Sequence, residues 1–473
     1  MDFGELRASV TSKNKINKIS RPTGEGDIFI MGKISEKIRL NIILPLAERV
    51  IGACSSKWLK QIERMQSWTR EEVIAWQNER LQALVKHAYE HTIYYKELFD
   101  SLGLKPSDIQ CAEDLKKLPV LTKDVVRSRF DDLVPDNINQ YRHRKDKTGG
   151  TTGEPMRYLT SEDTWGFVTA MKMHSWRTTS YRYGDKFAAL GSASLFKKKA
   201  SLPRRIYDWI RQEYPLNSMN LSNELCQEYI DKMRREGINY IYGYASAIYL
   251  LARYAHDNKV DVSFIKGAYT TSENLTPTYR AMIEKTFGCR VMDCYGCRDA
   301  GVACYEVKPG EYYLGYASIL EVVDANSEGI GVAVSTNVLN YAFPLLRYDY
   351  GDMVQLKEQP YDYNGQVISQ ILGRKSDVLQ LDNGHVLTSP GFTILMIKFD
   401  VVAYDIQKIS GTEVKMQVQP VEGKWNKEQE KLLTDEMKRF VGEGCEFTLE
   451  YVDHFEPLKN GKRRYFMNDL SDC

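Results

Sequence analysis

The sequence TGGTTGEP at residues 148–155 places three glycines and three threonines within eight positions. Glycine lets the backbone approach a polyphosphate closely and point several N–H groups toward it, and threonine hydroxyls add neutral donors. Glu154 and Pro155 stand where a Walker A loop would carry its lysine and hydroxyl residue, so the stretch is not that motif. It predicts a phosphate-binding loop of another nucleotide-handling class, with an ordinary glycine-rich turn as the alternative.

Four short motifs follow this loop in a fixed order. They are YGCRD at 295–299, RYDYGD at 347–352, GRKSD at 373–377 and NGK at 460–462, and LVKHAY at 84–89 and LPVLTK at 118–123 precede the loop. In this order the motifs resemble the adenylate-forming superfamily of acyl-CoA synthetases and ligases. The closest likeness is to the phenylacetate-CoA ligase-like family, in particular its branch associated with capsule and other polysaccharide biosynthesis. The resemblance covers nearly everything from about residue 65 onward.

Both the length and the resemblance imply a multi-domain α/β protein. A chain of 473 residues exceeds one ordinary core, and helical stretches alternate with short β-rich runs after Arg157. The implied arrangement is a helical extension at 1–65, a large adenylate-forming domain of layered sheets and helices at 66–373, and a small mobile α+β domain at 374–473. In the resembled family the small domain rotates between two half-reactions, and its hinge falls at Ser376 here.

The resemblance assigns the nucleotide contacts and the catalytic groups. Asp299 would hold Mg²⁺, with Arg298 beside it in reach of phosphate, and Asp352 would accept hydrogen bonds from both ribose hydroxyls, with Arg374 in the same neighbourhood. Because it would face the ribose, the Asp352 carboxylate is expected to lie outside the core. Lys462 would reach the reacting carboxylate and the α-phosphate, where an ammonium neutralises charge that builds up in the transition state. The loop residues implied to hold the β- and γ-phosphates are Thr148, Gly149, Gly150, Thr151, Thr152 and Gly153, with Thr151 counted as catalytic alongside Lys462 and Asp299.

Two further segments are implied to line the acyl and adenine sites. The acid would contact Tyr242, Gly243, Tyr244, Ser246 and Ala268, and the nucleotide would contact Ser272, Glu273, Tyr295 and Gly296. Three tyrosines in these segments favour an acid more polar than phenylacetate.

Composition narrows the partners and the compartment. The 64 basic and 63 acidic residues give a net charge of +1, which leaves no general footprint for nucleic acid. Nine cysteines without a secretory signal predict a reduced cytoplasm. Cys289, Cys294, Cys297 and Cys304 cluster, yet they lack paired Cys-x-x-Cys knuckles, so buried thiols are favoured over zinc ligands.

Residues 35–53 mix aliphatic and charged side chains. This pattern fits a packing helix of a soluble domain, or an amphipathic helix that lies on a membrane surface. A homodimer is the oligomer considered.

The sequence therefore predicts an ATP-dependent ligase that activates a carboxylic acid as acyl-AMP and passes the acyl group to a thiol. ATP, Mg²⁺ and coenzyme A are the expected cofactors, and the acid and its acceptor are small molecules. One alternative is transfer to an amine or hydroxyl of a sugar intermediate in capsular polysaccharide synthesis. A second is a non-catalytic binding protein that kept the fold, against which intact Asp352 and Lys462 argue.

Overall fold

The computed structural model describes residues 36–148, 156–191, 207, 209–218, 221–359, 362–374, 378–388, 395–396, 398–455 and 466–467. Several predicted site residues lie outside this set. They are Gly149, Gly150, Thr151, Thr152 and Gly153 of the phosphate loop, the hinge residue Ser376, and Lys462.

Local sequence signals explain where helices begin. The Thr69 hydroxyl accepts the Glu72 N–H, and the Glu72 carboxylate accepts the Thr69 N–H, so this capping box starts the longest described helix. Residues 36–51 form one continuous run, named the outer helix, built of Glu36–Ile38, a π-helical Arg39–Ile43 and Leu44–Ile51. The α-helices that follow are α1 Ser55–Met65, α2 Arg70–His91, α3 Ile93–Leu102, α4 Lys123–Ser128, α5 Phe130–Leu133, α6 Glu162–Arg177, α7 Asn223–Glu236, α8 Ala245–Asp257, α9 Pro277–Phe287 and α10 Lys427–Val441. Short 3₁₀ helices are Pro106–Asp108, Ala112–Lys117 and Ile138–Gln140.

The strands form one large sheet and three smaller ones within the described residues. They are β1 His143–Lys147, β2 Arg157–Ser161, β3 Phe187–Gly191, β4 Glu213–Asn217, β5 Tyr240–Tyr244, β6 Gly267–Thr271, β7 Val291–Cys297, β8 Val302–Lys308, β9 Glu311–Leu314, β10 Ser318–Val323, β11 Ile330–Asn337, β12 Tyr348–Leu356, β13 Val367–Arg374, β14 Val378–Gln380, β15 Val386–Thr388, β16 Val401–Ser410, β17 Glu413–Pro420, β18 Glu446–Tyr451 and β19 Phe466–Met467. The large sheet has the order β10-β11-β12-β13-β9-β8-β7-β6-β5-β3-β4.

The large sheet changes character at β7. From β4 to β7 neighbouring strands are parallel, with the helices α7, α8 and α9 between them along the chain, whereas from β7 to β10 neighbours are antiparallel. Parallel strands all end at the same edge of a sheet, and ligands of open α/β sheets bind at that edge. The carboxyl ends of β5, β6 and β7 are therefore the expected place for a site.

The antiparallel half of this sheet is strongly curled. Three strands separate β12 from β7, which in a flat sheet would place them about 19 Å apart. Yet the hydroxyl of Tyr295 on β7 lies 2.7 Å from the carboxylate of Asp352 on β12. The curl thus carries β12 back over the carboxyl end of β7.

The main core joins α6 to this sheet through aromatic rings. Trp176 of α6 stacks on Tyr269 of β6, with ring centroids 4.6 Å apart, and meets Phe187 of β3 edge to face. Helix α1 adds Trp58, which contacts Phe167 of α6. The same hydrophobic cluster contains Leu44 and Met65, so it begins upstream of the boundary expected at residue 65.

The C-terminal elements form an α+β unit. Strands β16, β17, β18 and β19 form one sheet in the order β18-β17-β16-β19, and α10 lies against β18 with Leu433, Met437 and Val441 buried. This unit contacts the large sheet's helices, since the Thr278 hydroxyl of α9 donates to the Val401 carbonyl at 3.1 Å. The predicted multi-domain α/β class is confirmed, and the domain bounds stay predictions.

Candidate active site

The three predicted segments meet at the carboxyl edge of the parallel strands. Tyr242 and Tyr244 end β5, Ser272 follows β6, and Tyr295 and Gly296 end β7. Along β5 the burial decreases toward this edge, from buried Tyr240 to partly exposed Tyr242 and Tyr244. An accessible surface therefore lies where the sequence places the substrate.

A buried carboxylate links β7, β12 and β13. Tyr295 donates to Asp352 Oδ2 at 2.7 Å, and Arg374 Nε lies 3.1 Å from Asp352 Oδ1. The pairing of β12 with β13 places Asp352 directly opposite Arg374. The predicted ribose carboxylate and its expected arginine neighbour are thus an ion pair at the site.

Asp352 is more enclosed than the sequence led us to expect. The residue is 7% exposed, so its carboxylate lies within the packed sheet rather than outside the core. Burial raises its pKa, and the positive charge of Arg374 followed by the Tyr295 hydrogen bond opposes that rise. The reason for the discrepancy is the curl, which lays β12 against β7 and removes one side of the carboxylate from solvent.

Asp299, the predicted metal-binding residue, is oriented by two donors. The Tyr348 hydroxyl donates to Asp299 Oδ2 at 2.7 Å, and the Cys297 thiol donates to Oδ1 at 2.9 Å. Burial and then the Asp299 charge raise the pKa of Tyr348, so the phenol keeps its proton and remains a donor. The neighbouring Arg298 is exposed, with its guanidinium 5.3 Å from the ring centre of Trp165.

The ends of the predicted phosphate loop lie next to Asp299. Thr148 and Met156 exchange two hydrogen bonds, from Thr148 N to the Met156 carbonyl at 2.9 Å and from Met156 N to Thr148 Oγ1 at 3.0 Å. Strands β1 and β2 pair on either side of them. Tyr348 contacts Met156 Sδ at 3.6 Å with the same hydroxyl that holds Asp299. A loop leaving Thr148 and returning at Met156 therefore starts and ends beside this carboxylate.

The remaining predicted contacts lie on β5, β6 and the turns after them. The Glu273 carboxylate accepts the Ser246 N–H at 2.9 Å, at the amino end of α8, where a negative charge is favourable. Ser272 adopts a φ of +67°, a left-handed conformation that is uncommon for serine. A Cβ at Gly243 would lie 2.2 Å from the Leu190 carbonyl, so only glycine fits there. Ala268, a predicted contact of the acid, is fully buried within β6 between β5 and β7, so the structure places it beneath the accessible surface.

Sequence reasoning missed three residues at this site. Lys123 Nζ donates to the Tyr350 carbonyl at 2.8 Å, and Arg374 Nη1 donates to the same carbonyl at 2.9 Å. Tyr348 and Tyr350 are buried on the same side of β12 as Asp352. The alternation of tyrosine, tyrosine and aspartate in RYDYGD is a period-two pattern that could have identified both rings.

The donor set around Asp299 fits Mg²⁺. Magnesium usually takes one or two protein carboxylates and completes its shell with water and substrate phosphates. Asp299 is partly exposed, and the base of the predicted phosphate loop lies beside it. Among the described residues, no group of three or more histidine, cysteine or acidic side chains could hold a metal without such a substrate.

The clustered cysteines are free thiols where the structure describes them. Cys297 and Cys304 are buried, while Cys289 and Cys294 are partly buried. Burial raises the pKa of both Cys289 and Cys294 to about 12. Neutral thiols of this kind fill space and are poor nucleophiles.

The buried carboxyl group of Asp293, two residues before Tyr295, makes the stability of the fold depend on pH. It accepts from Thr270 Oγ1 at 2.5 Å and from the Tyr312 hydroxyl at 2.8 Å, and burial raises its pKa to about 6. The folded state then holds the proton more tightly than the unfolded state. This contribution to stability is complete below pH 4 and is lost as the pH rises to about 6.

We expect the free energy of unfolding to decrease by up to about 3 kcal/mol across that window through this group. Asp293→Asn should flatten the decrease, as measured by urea unfolding between pH 4 and pH 7. Identical pH profiles for the two proteins would contradict the assignment.

No family model matches the chain. The chain is 26% identical to protein CapK of Staphylococcus aureus over 407 residues, which cover 83% of this chain and 89% of CapK. It is also 26% identical to phenylacetate-coenzyme A ligase of Pseudomonas putida over 416 residues, which cover 77% of this chain and 86% of that enzyme.

Solved structures share the fold. A 2-hydroxyisobutyryl-CoA ligase in complex with 2-HIB-AMP, in the postadenylation state, aligns with a TM-score of 0.66 at 18% identity and covers 86% of this chain and 92% of that chain. The same ligase in complex with 2-HIB-AMP and CoA, in the thioesterification state, aligns with a TM-score of 0.55 at 18% identity, with the same coverage. These comparisons confirm the predicted resemblance to adenylate-forming proteins of the phenylacetate-CoA ligase-like kind, with a CapK branch.

Proposed function

We propose that this protein is an AMP-forming acyl-CoA ligase. The observation that carries the proposal is the grouping of Asp299, Asp352 and Arg374 at the carboxyl edge of the parallel strands, next to the base of the phosphate loop. Relatives named phenylacetate-coenzyme A ligase cover most of the chain, which supports the same chemistry here.

In the first half-reaction a carboxylate oxygen of the acid attacks the α-phosphorus of ATP. The bond between the α-phosphorus and the bridging oxygen breaks, and pyrophosphate leaves with the electron pair. Two anions must approach each other, so positive groups and N–H donors have to offset their repulsion. The loop from Thr148 to Gly153 would supply N–H and hydroxyl donors to the β- and γ-phosphates, and Lys462 would neutralise charge at the reacting centre.

The ribose and the metal are assigned to the two carboxylates. Each Asp352 oxygen already has one protein donor, from Arg374 or Tyr295, and each keeps a further lone pair for a ribose hydroxyl. Asp299 would hold Mg²⁺, whose chemistry is to neutralise the phosphate oxygens during the displacement.

In the second half-reaction the sulfur of coenzyme A attacks the acyl carbonyl carbon of the acyl-AMP. The carbon–oxygen bond to the phosphate breaks, AMP leaves with the electron pair, and the thiol proton passes to solvent. Lys462 must leave the site before the thiol enters, which is the role proposed for the C-terminal domain and its hinge at Ser376.

Acid-dependent exchange of labelled pyrophosphate into ATP, measured over a panel of carboxylic acids, tests the first step. We expect exchange without coenzyme A, and stoichiometric AMP and acyl-CoA once coenzyme A is added. Exchange without thioester would instead support an amine or hydroxyl acceptor, such as a sugar intermediate. Failure of every acid to support exchange would favour a non-catalytic binding protein.

The other partners stay predictions. No helix in the described ranges is both long enough and apolar enough to span a bilayer. We expect a reduced cytoplasm, a homodimer and a surface contact with a membrane. The exposed side chains of the outer helix are relevant to the homodimer and to the membrane contact.

A further inference from the structure

Lys172 of α6 places a positive charge beside the predicted acyl site. Its Nζ lies 4.6 Å from the ring centre of Tyr242 on β5 and 5.3 Å from that of Trp176. It also interacts electrostatically with Cys294 and Arg298 at the end of β7. The ammonium therefore lies next to Tyr242, one of the residues predicted to contact the acid.

This ammonium lacks a counter-ion in the part of the chain that the structure describes. No described carboxylate oxygen lies within 4.0 Å of Lys172 Nζ. The charge of Glu213 influences the pKa of Lys172, but the Glu213 carboxylate forms an ion pair with Arg211 at 3.2 Å. Burial, followed by the Arg211 charge, lowers the pKa of Lys172 to about 8. Aromatic faces attract a cation, but they supply no hydrogen-bond acceptor for its N–H groups.

Building on the acyl-CoA ligase function proposed above, we propose that Lys172 recognises a second anionic group on the acyl substrate. Such an anion would form the charge-assisted hydrogen bonds that the protein does not supply. The partly exposed ring of Tyr242 would pack on the body of the acid. When an acid without the second anion binds, the partly buried ammonium stays without a hydrogen-bond acceptor. The free energy lost in this way makes the protein select against such acids.

Matched pairs of acids that differ by one carboxylate test this inference. Suitable pairs are hexanoate with adipate and phenylacetate with 4-carboxyphenylacetate, with 6-hydroxyhexanoate as a neutral polar third arm. Pyrophosphate exchange is measured for the native protein, Lys172→Met and Lys172→Arg. We expect the native protein to prefer the dianion of each pair by about 10-fold or more, since a charged hydrogen bond is worth about 1.5–3 kcal/mol. Lys172→Met should abolish or reverse the preference, and Lys172→Arg should keep part of it.

A preference that is unchanged in Lys172→Met, or a native preference for the apolar or hydroxylated acids, would overturn the inference. Thermal stabilisation by each acid in the presence of AMP gives a readout that needs no turnover. Exchange could fail for every acid while dianions still stabilise the native protein but not Lys172→Met. That result would contradict the ligase proposal and support the Lys172 site. If neither readout responds to dianions, the Lys172 site falls as well.

A different observation concerns the outer helix, which exposes a line of aliphatic side chains. Arg39 and Glu48 are buried, whereas Ile38, Ile42, Leu46 and Val50 are 46%, 54%, 56% and 73% exposed. Glu48 has a structural reason to be inside, because it accepts the Ser56 N–H at the start of α1. The four aliphatic residues recur at intervals of four and form one stripe, named the aliphatic stripe.

The charges around the aliphatic stripe are positive. Lys37 and Arg49 are exposed on the outer helix, while its two acidic residues, Glu36 and Glu48, are not. In the sequence that precedes it, residues 13–35 contain five basic and two acidic residues. An exposed apolar stripe with exposed Lys37 and Arg49 beside it is the pattern of a helix that lies in an anionic membrane surface. We propose that the outer helix binds anionic lipid.

Sedimentation with vesicles tests this second proposal. We expect the native protein to bind vesicles that contain phosphatidylserine and not vesicles of phosphatidylcholine alone. Ile42→Asn with Leu46→Asn should abolish binding without loss of pyrophosphate exchange. Leu432→Asn, at a leucine of α10 that is 50% exposed, is the matched control and should bind normally. Absence of vesicle binding would overturn the proposal, and a dimer that the double variant dissociates would assign the stripe to a second copy.

Discussion

Lys462→Ala is expected to reduce acyl-AMP formation by at least about 10²-fold, because alanine lacks the positive charge that would offset charge at the reacting centre. Thioester formation from supplied acyl-AMP should change far less, since the role we propose for the lysine belongs only to the first half-reaction. Pyrophosphate exchange measures the first step, and release of AMP from acyl-AMP and coenzyme A measures the second.

Lys459→Ala is the matched control, because it removes the same charge three residues earlier in the chain. It should leave both rates close to the native values. Equal loss of both half-reactions in Lys462→Ala would contradict the assignment of this lysine to adenylation.

Asp352→Asn is expected to raise the KM for ATP by about 10-fold to 150-fold, because hydrogen bonds to a charged acceptor contribute about 1.5–3 kcal/mol. The buried position also predicts a loss of stability, since Arg374 loses its ion-pair partner. That loss should be about 1 kcal/mol, because the Arg374 side chain is 43% exposed and water screens the pair. Initial rates of exchange against ATP concentration, and urea unfolding, measure the two effects.

Tyr295→Phe separates the charge of Asp352 from its orientation. This change keeps the carboxylate and removes one donor to it, so the effect on ATP should be smaller than in Asp352→Asn. An Asp352→Asn protein that is destabilised but binds ATP normally when folded would show that the residue only holds the sheet together.

The sequence motifs identify which strands carry the site, because each motif lies at a strand end or in the turn after it. YGCRD ends β7, RYDYGD opens β12 and the Gly-Arg pair ends β13. Their local chemistry, a turn glycine beside an acidic or basic residue, is visible in a few adjacent positions. Motif order was therefore sufficient to identify Asp299, Asp352 and Arg374 as candidate site residues, and their roles stay predictions.

The contacts between those motifs could not be predicted in the same way. The hydrogen bond from Tyr295 to Asp352 depends on the register of three intervening strands and on the curl of the sheet. Lys172 is one lysine on a largely buried helix, and the sequence does not show which groups surround its ammonium. One neighbouring ring, Trp176, lies one turn further along the helix, and the other, Tyr242, is distant in sequence. Burial of Asp352 likewise follows from tertiary packing and not from its neighbours in the chain.

The curl of the antiparallel half also determines when during folding the ATP site can exist. Tyr295 and Asp352 come into contact only after β8, β9 and β13 have all paired between them. The candidate ATP site therefore forms only when the antiparallel half of the sheet is complete. Contacts that close large loops pay their entropy before they gain stability, and they tend to form late. Nucleotide should therefore bind the finished sheet and not its partly assembled forms. Saturating ATP would slow global unfolding and leave the early steps of refolding unchanged.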